Sequence, residues 1–389
     1  MQRFQKILIA VLGIAIGASA GYLIVLLTTP KASKNTPQNF FLPPKKEVIG
    51  FLPFWLIDKA DKDYSPFISA LSYFNLNIDS DGTIKRMENQ IEADPGWHAL
   101  TGGKVDEMLK KAKADREKLS LTMFASDTDI INSILSDPAA NAQNLVNDVS
   151  PVMQKYGFSD LNIDIEQIPD ASPEAQIKYS QFISNVKNNL ATRNLGTLTI
   201  DISPIAFVRN KNLIDPKLIS QYVDYIILMA YDFHNPGSIV TGPVSPVSGA
   251  GTVSEFDTET AIQKALEIFP ASKIILGIPL YGYSWESIDG FPRAAVVPSS
   301  AIIISNRTVE NLLAECATCS AEYDATDKES HVIYKNADTG TFQQIFYPDR
   351  KSTQDKVKLA NDYKLGGIAL WALGYEGNTI LQALSAYRH

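Results

Sequence analysis

Residues Ser159–Asp170 read SDLNIDIEQIPD, an alternation whose two faces differ in kind. With Leu161, Ile163 and Ile165 on one side, Asn162, Asp164 and Glu166 fall on the other, with about 6.6 Å between successive members of each set. Two acids on one strand face repel each other and lose hydration when covered. Such a row belongs either on a solvated edge or at the end of a strand that opens into a polar site. The apolar-aromatic segment MQKYGF precedes it and a proline-containing loop follows.

Seven other segments share the strand character of SDLNIDIE: VIGFLPF (48–54), ALSYFNL (70–76), LSLTMFA (119–125), GTLTIDI (196–202), VDYIILMAY (223–231), KIILGIPL (273–280) and GGIALWAL (366–373). Helical patterns lie between several of them. Val105, Met108, Leu109 and Ala112 recur at helical spacing within 102–118, and Ile177, Phe182, Ile183 and Val186 fall close to one stripe within 173–191. TETAIQKALEIF (258–269) repeats the pattern after the sixth strand. The charges of Lys104 to Lys118 read as the solvated face of the first of these helices. Strands alternating with helices imply a mainly parallel sheet, and eight such units point to an α/β fold, a closed (β/α)8 TIM barrel.

The spacing breaks once. Residues 281–364 exceed what one barrel helix needs, and SAIIIS, HVIYKNADTGTFQQIFY and the turn at Asp338 to Gly340 predict a small α+β insertion after strand seven. No internal repeat is evident. In this barrel type the C-terminal strand ends form the working face, so Glu166 is expected at the rim, with Asp164 and Asn162 descending below it.

The chain has 389 residues, 45% hydrophobic and 20% charged, enough for one large domain or two smaller ones. Its formal charge is −8, which gives no support to nucleic-acid binding. At the start, MQRFQK (1–6) precedes an almost uninterrupted apolar run from Ile7 to Leu27. At about 1.5 Å per residue that run is just long enough to cross a bilayer. It continues past a possible cleavage site at Ala18-Ser19-Ala20, so an uncleaved signal anchor is preferred over a cleaved signal peptide. Residues 1–6 would then stay cytoplasmic and the bulk of the chain would lie outside the membrane, or be secreted if the segment is cleaved. Residues 28–46, rich in Pro, Lys, Thr and Asn, read as a linker, and the folded domain is expected over 47–389.

Cys316 and Cys319, in CATC, allow a local disulfide, and neither has the context of a redox centre. The four histidines lie far apart and complete no zinc pattern, so no metal or other cofactor is called for. Asn306-Arg307-Thr308 fits a glycosylation acceptor pattern.

These segments together resemble glycoside hydrolase family 18, the chitinase-like family, and above all its bacterial branch that processes spore cortex and peptidoglycan. Ser159 to Glu166 stands where the family has DGxDxDxE, with Ser159-Asp160 in place of Asp-Gly, Asn162 in place of the innermost aspartate and Ile165 where many chitinases have tryptophan. MAYDFH is similar to the family's M-x-Y-D element, GIPLYGYSW to its G-x-P-x-Y-G-x-x-W segment, and GGIALW supplies Trp371 where the family floors its sugar site with tryptophan. The resemblance runs from about Val48 to the C-terminus. It implies Glu166 as proton donor, Asp164 as the group that orients the substrate's acetamido N–H, and Tyr231 as donor to the acetamido oxygen. Asn162, Met229, Asp232, Trp371, Tyr281 and Trp285 are the implied substrate-binding residues. Trp55 and Tyr283 could also line a sugar groove, whereas Phe54 and Phe74 read as packing.

The reaction so implied is retaining hydrolysis of β-linked N-acetylglucosamine in peptidoglycan, chitin or a related glycan, with the 2-acetamido group as nucleophile. The alternative is a chitinase-like carbohydrate-binding protein without turnover. A structural partner protein would follow if the insertion filled the barrel mouth.

Overall fold

Alternation alone would put the acidic row of SDLNIDIE on either a wet or a covered face, and closure of the sheet covers both. In the computed structural model, which describes residues 46–166, 170–384 and 387, seven parallel strands follow one another around a ring: β1 (Glu47–Pro53), β2 (Ala70–Asn77), β3 (Lys118–Ala125), β4 (Asp160–Ile165), β5 (Thr197–Ile202), β6 (Tyr225–Leu228) and β7 (Ile274–Pro279). The chain then leaves the ring for β8 (Tyr281–Ser287), β9 (Ile302–Ser305), β10 (Ala321–Asp324), β11 (Glu329–Lys335) and β12 (Phe342–Tyr347). It returns for β13 (Gly367–Trp371), which lies between β7 and β1 and closes a (β/α)8 barrel. The expected Ile7 to Leu27 anchor and residues 28–45 of the linker lie outside the described residues. Among the described residues no helix is long and apolar enough to cross a membrane.

Leu161, Ile163 and Ile165 point out of the ring into the large core that the surrounding helices cover, while Asn162 and Asp164 point into it. Inside, the barrel is divided. Ile49, Phe51, Phe74, Ile227, Ile275 and Ala369 form an apolar cluster on one side. On the other, Ser72 and Thr122 share a hydrogen bond of 3.0 Å, Thr122 donates to Asn162 at 2.9 Å, and Asn162 donates to Asp201 at 2.7 Å. Four strands are thus laced together by side chains at one level, and Ser72, Thr122, Asn162 and Asp201 each have a partner in the row. Below them, Asp160 accepts from the hydroxyls of Ser120, Thr197 and Thr199.

The helix Pro173–Arg193 shows how local sequence sets an element. Ser172 caps it by accepting from Ala175 N, proline occupies its first turn, and Asn194 ends it in the left-handed region at φ 54°. Tyr179, Phe182, Ile183, Val186 and Leu190 form its buried stripe. Ile177, expected on that stripe, is 51% exposed, because its position lies about 100° around the helix from the buried Gln176.

The expected insertion is a five-stranded antiparallel sheet in the order β10-β11-β12-β8-β9, with the helix Asn306–Glu315. The turn at Asp338 to Gly340 joins β11 to β12, with Gly340 at φ 75°. Cys316 and Cys319 are joined by a disulfide. Asn306 is buried and donates to Pro348 O at 2.5 Å, so the acceptor pattern it begins is inaccessible in the folded protein.

A buried charged cluster joins the insertion to the barrel's last helix, Arg350–Asp362. It includes Asp327, whose carboxyl accepts from Glu329 N at 2.8 Å and is pushed up to about 7 by burial and then by the charge of Glu329. The folded state therefore keeps this proton between about pH 4 and 7, where the unfolded chain gives it up. The associated stability is fully present below that window and is lost as pH rises through 7. Asp327→Asn keeps the accepting oxygen and removes the titration. It is expected to melt above the wild type at pH 8, with the gap narrowing toward pH 4 at about 1.4 kcal/mol per unit of separation. Thermal melts across that range check it; a gap independent of pH would assign the titration elsewhere.

Candidate active site

Register brings the acids of two strands together. Asn162 on β4 pairs with Thr199 on β5, so two residues further along each strand Asp164 and Asp201 stand side by side inside the barrel. Glu166 follows one step past the end of β4, where the strand opens into the barrel mouth. Asp164 and Asp201 are 3% and 4% exposed. Glu166 is reached by water from the mouth yet has protein densely packed about it, as befits a group in a cleft.

Burial, and then the neighbouring charges of Asp201 and Glu166, hold the Asp164 carboxyl well above the usual carboxylate range. Asp201 is also pushed well up, chiefly by burial, with the Asn162 amide opposing. Glu166 is raised by desolvation and then by Asp232. Three carboxyls this close resist full ionisation, and the set retains a proton at pH values where an isolated carboxyl has lost it. One oxygen, Asp164 Oδ1, is buried without a hydrogen-bond partner in the protein. An orphaned carboxylate oxygen costs free energy unless a bound donor completes it.

The segment after β6 supplies the next two groups. The strand ends at Leu228, three residues earlier than its apolar run predicts, because Met229 to Asp232 turns across the mouth with Asp232 at φ 60°. Tyr231 packs over Gly277, where an added Cβ would stand 2.9 Å from its ring and 2.8 Å from Leu228 O. Asp232 accepts from the hydroxyls of Tyr281 (2.5 Å) and Tyr283 (3.0 Å), which fix its carboxylate from the first strand of the insertion.

A cavity of 440 Å³ opens above these groups. Asp164, Glu166, Tyr231 and Asp232 line one side of it, and Trp371, Phe74, Phe51 and Trp55 line the other. Trp371 meets Phe74 edge to face at 4.5 Å, and Trp55, 46% exposed, stands 6.5 Å from Trp371. A second cavity of 280 Å³, walled by Ser203, Ile205 and Asn212, adjoins it and shares Glu166, Asp201, Met229, Tyr231 and Asp232 with the first. The mouth is open, so the insertion does not plug it.

Of the residues expected at the site, Glu166, Asp164, Tyr231, Met229, Asp232, Trp371 and Tyr281 line this space. Asn162 lies beneath it, 1% exposed, and reaches it only through Asp201. Trp285 does not line it: the side chain is fully buried in a cluster with Val244, Tyr281, Tyr283 and Phe346, because it lies four residues beyond Tyr281 on the same face of β8, behind the rings that reach the cavity. Phe54 and Phe74, read as packing, line the cavity as well. Asp201, Asn75 and Asn77 were missed. Asp201 had a signal, the alternation Thr197, Thr199, Asp201 on strand five; the asparagines had only their place at the end of strand two. Asn75 donates to Asn77 at 2.8 Å and Asn77 to Asp94 at 2.7 Å, a chain that orients both amides on the cavity wall.

The chain is similar to known proteins in sequence and in fold. The cortical fragment-lytic enzyme of Bacillus cereus is 28% identical over 322 residues, 81% of this chain and 67% of the relative. The Bacillus subtilis (strain 168) enzyme of the same description is 24% identical over 360 residues, 89% of this chain and 73% of the relative. Among solved structures, the spore cortex-lytic enzyme of Bacillus megaterium superposes with a TM-score of 0.68 at 19% identity, covering 87% of this chain and 73% of that one. A chitinase from Cycas revoluta, solved with (GlcNAc)3, gives 0.71 at 19% identity, covering 88% and 100%. These two likenesses concern the fold. The model described as Glycosyl hydrolases family 18 matches residues 47–376, and the chain belongs to that family of glycosidases.

Proposed function

We propose that this glycosidase hydrolyses β-linked N-acetylglucosamine in peptidoglycan, chitin or a related glycan, with the substrate's own 2-acetamido group as nucleophile. The observation that carries the reading is Asp164: a buried carboxyl with one unpartnered oxygen, on the wall of a cavity floored by Trp371 and shared with Tyr231 and Glu166.

In this reading the glycone sugar lies on Trp371 and the departing sugar in the smaller cavity, so the scissile bond crosses Glu166. The acetamido oxygen attacks the anomeric carbon as the bond to the glycosidic oxygen breaks, and the Glu166 proton passes to that oxygen. Asp164 accepts the acetamido N–H, which gains acidity as the oxazolinium ring forms, so the contact strengthens in the transition state. Tyr231 donates to the acetamido oxygen and holds it near the carbon it attacks. Water then attacks the same carbon as its bond to the acetamido oxygen breaks, the water's proton goes to the Glu166 carboxylate, the acetamido group is restored, and configuration is retained. Asp201, joined to Asn162, supports Asp164 from the neighbouring strand.

Several readings of the sequence stand with this proposal: the glycosidase as a single body over 47–389 interrupted by the insertion, and the Ile7 to Leu27 run as an anchor holding it outside the cytoplasmic membrane. The apolar length of that run supports the second.

The test is mass spectrometry of products after incubation with peptidoglycan and with chitin oligomers. Release of fragments ending in reducing N-acetylglucosamine from either one is expected. Binding of both without any cleavage would transfer the reading to a carbohydrate-binding protein.

A further inference from the structure

Glu329, at the start of β11, is fully buried and takes no part in the chemistry described above. Its two carboxylate oxygens accept from consecutive backbone amides, Val244 N at 2.6 Å and Ser245 N at 2.9 Å. Those two residues end the loop that begins at Tyr231. Ser245 Oγ donates to Ala230 O at 2.6 Å, and Phe233 N donates to Val244 O at 3.0 Å. Tyr231 and Asp232 are thus bracketed on both sides, at Ala230 and at Phe233, by the segment that Glu329 grips. Lys356, also fully buried, places its ammonium 3.7 Å from Glu329 and has no hydrogen-bond acceptor of its own.

Only a carboxylate suits this place. Two adjacent amide N–H groups need two acceptors, and a glutamine side chain would turn an NH2 toward one of them. An apolar residue would orphan both. Carrying a carboxylate and an ammonium into the interior is a poor way to gain stability, since well-packed apolar residues often do as well or better. A specified position of the loop is a benefit that apolar packing would not supply.

We propose that Glu329, paired with Lys356, is a positioning residue for the glycosidase reaction: through Val244 and Ser245 it sets where Tyr231 and Asp232 stand in the cavity. The inference rests on the roles proposed above for those two residues. It links the insertion to catalysis through the backbone, separately from the tyrosine hydroxyls that β8 lends to Asp232.

Two full-length variants test it, each followed by amide hydrogen exchange and by initial rates on a chitin oligomer. In Glu329→Gln, exchange of the 229–245 segment is expected to quicken at least about 10-fold while β3 to β5 stay protected. The kcat should fall about 10- to 100-fold with KM changed much less, as when a reacting group is misplaced without loss of binding. Ser245→Ala removes only the bond to Ala230 and leaves the buried charges alone. It should show the same split to a smaller extent, and it decides the matter if the glutamine variant does not fold. Unchanged exchange across 229–245, or kcat and KM both at wild-type values in folded variants, overturns the proposal. A wild type that cleaves no glycan instead removes the proposed function, and exchange then still reports whether Glu329 holds the loop.

Discussion

Glu166→Gln is expected to lower turnover of an N-acetylglucosamine oligomer by at least about 100-fold, the lower end for loss of a general acid. The amide keeps the shape of the side chain, so affinity for uncleaved oligosaccharide should change far less. Initial rates and direct binding, measured on proteins with matched melting curves, separate the two. A variant that cleaves a confirmed substrate at nearly the wild-type rate would remove Glu166 from the acid role. The same residue predicts a pH effect with a definite sign. Burial and the charge of Asp232 raise its pKa, so kcat/KM should fall on the alkaline side at a pH above the ordinary carboxylate range. Removing the charge in Asp232→Asn should move that limb to lower pH.

Asp164→Ala should cost kcat at least about 100-fold as well, by taking away the acceptor that orients the acetamido group. A stable thiazoline analogue of the cyclic intermediate distinguishes this from general damage. The wild type should bind it, and the variant should bind it more weakly because a charge-assisted contact is gone. Calorimetric titration reads both. Failure of the wild type to bind at millimolar concentration would count against acetamido participation, whatever the variant does.

Much of the architecture was written in local pattern. Eight strand segments, the extra length after strand seven and the turn at Gly340 all rest on short-range periodicity and turn chemistry, and each is present, with the sixth strand cut short at Leu228. The acidic row of strand four was legible for the same reason. What sequence could not give was anything fixed by register or closure. Asp201 becomes part of the site only because β5 pairs with β4 so that it stands beside Asp164. Trp285 shares a face of β8 and a buried cluster with Tyr281, yet it lies four residues further along the strand, where Tyr283 and Phe346 cover it, while Tyr281 reaches Asp232. The helix Pro138–Tyr156 was obscured by Pro151 in its interior and by the polar residues between its apolar positions. Glu329 and Lys356 are ordinary charges in the sequence until the fold buries them against each other.

The two-sided interior of the barrel also bears on how such a protein tolerates change. Along Ser72, Thr122, Asn162 and Asp201, loss of one group strands the next, and an orphaned buried polar group costs about 1–3 kcal/mol. Errors there propagate from strand to strand. On the wall of Phe51, Phe74 and Trp371, a smaller or differently shaped ring forfeits contact area by degrees, and the neighbouring rings can shift to recover part of it. Variation can therefore accumulate on the aromatic side and, under the proposed function, alter which sugar is held, while the hydrogen-bonded side keeps the carboxyl row as it was.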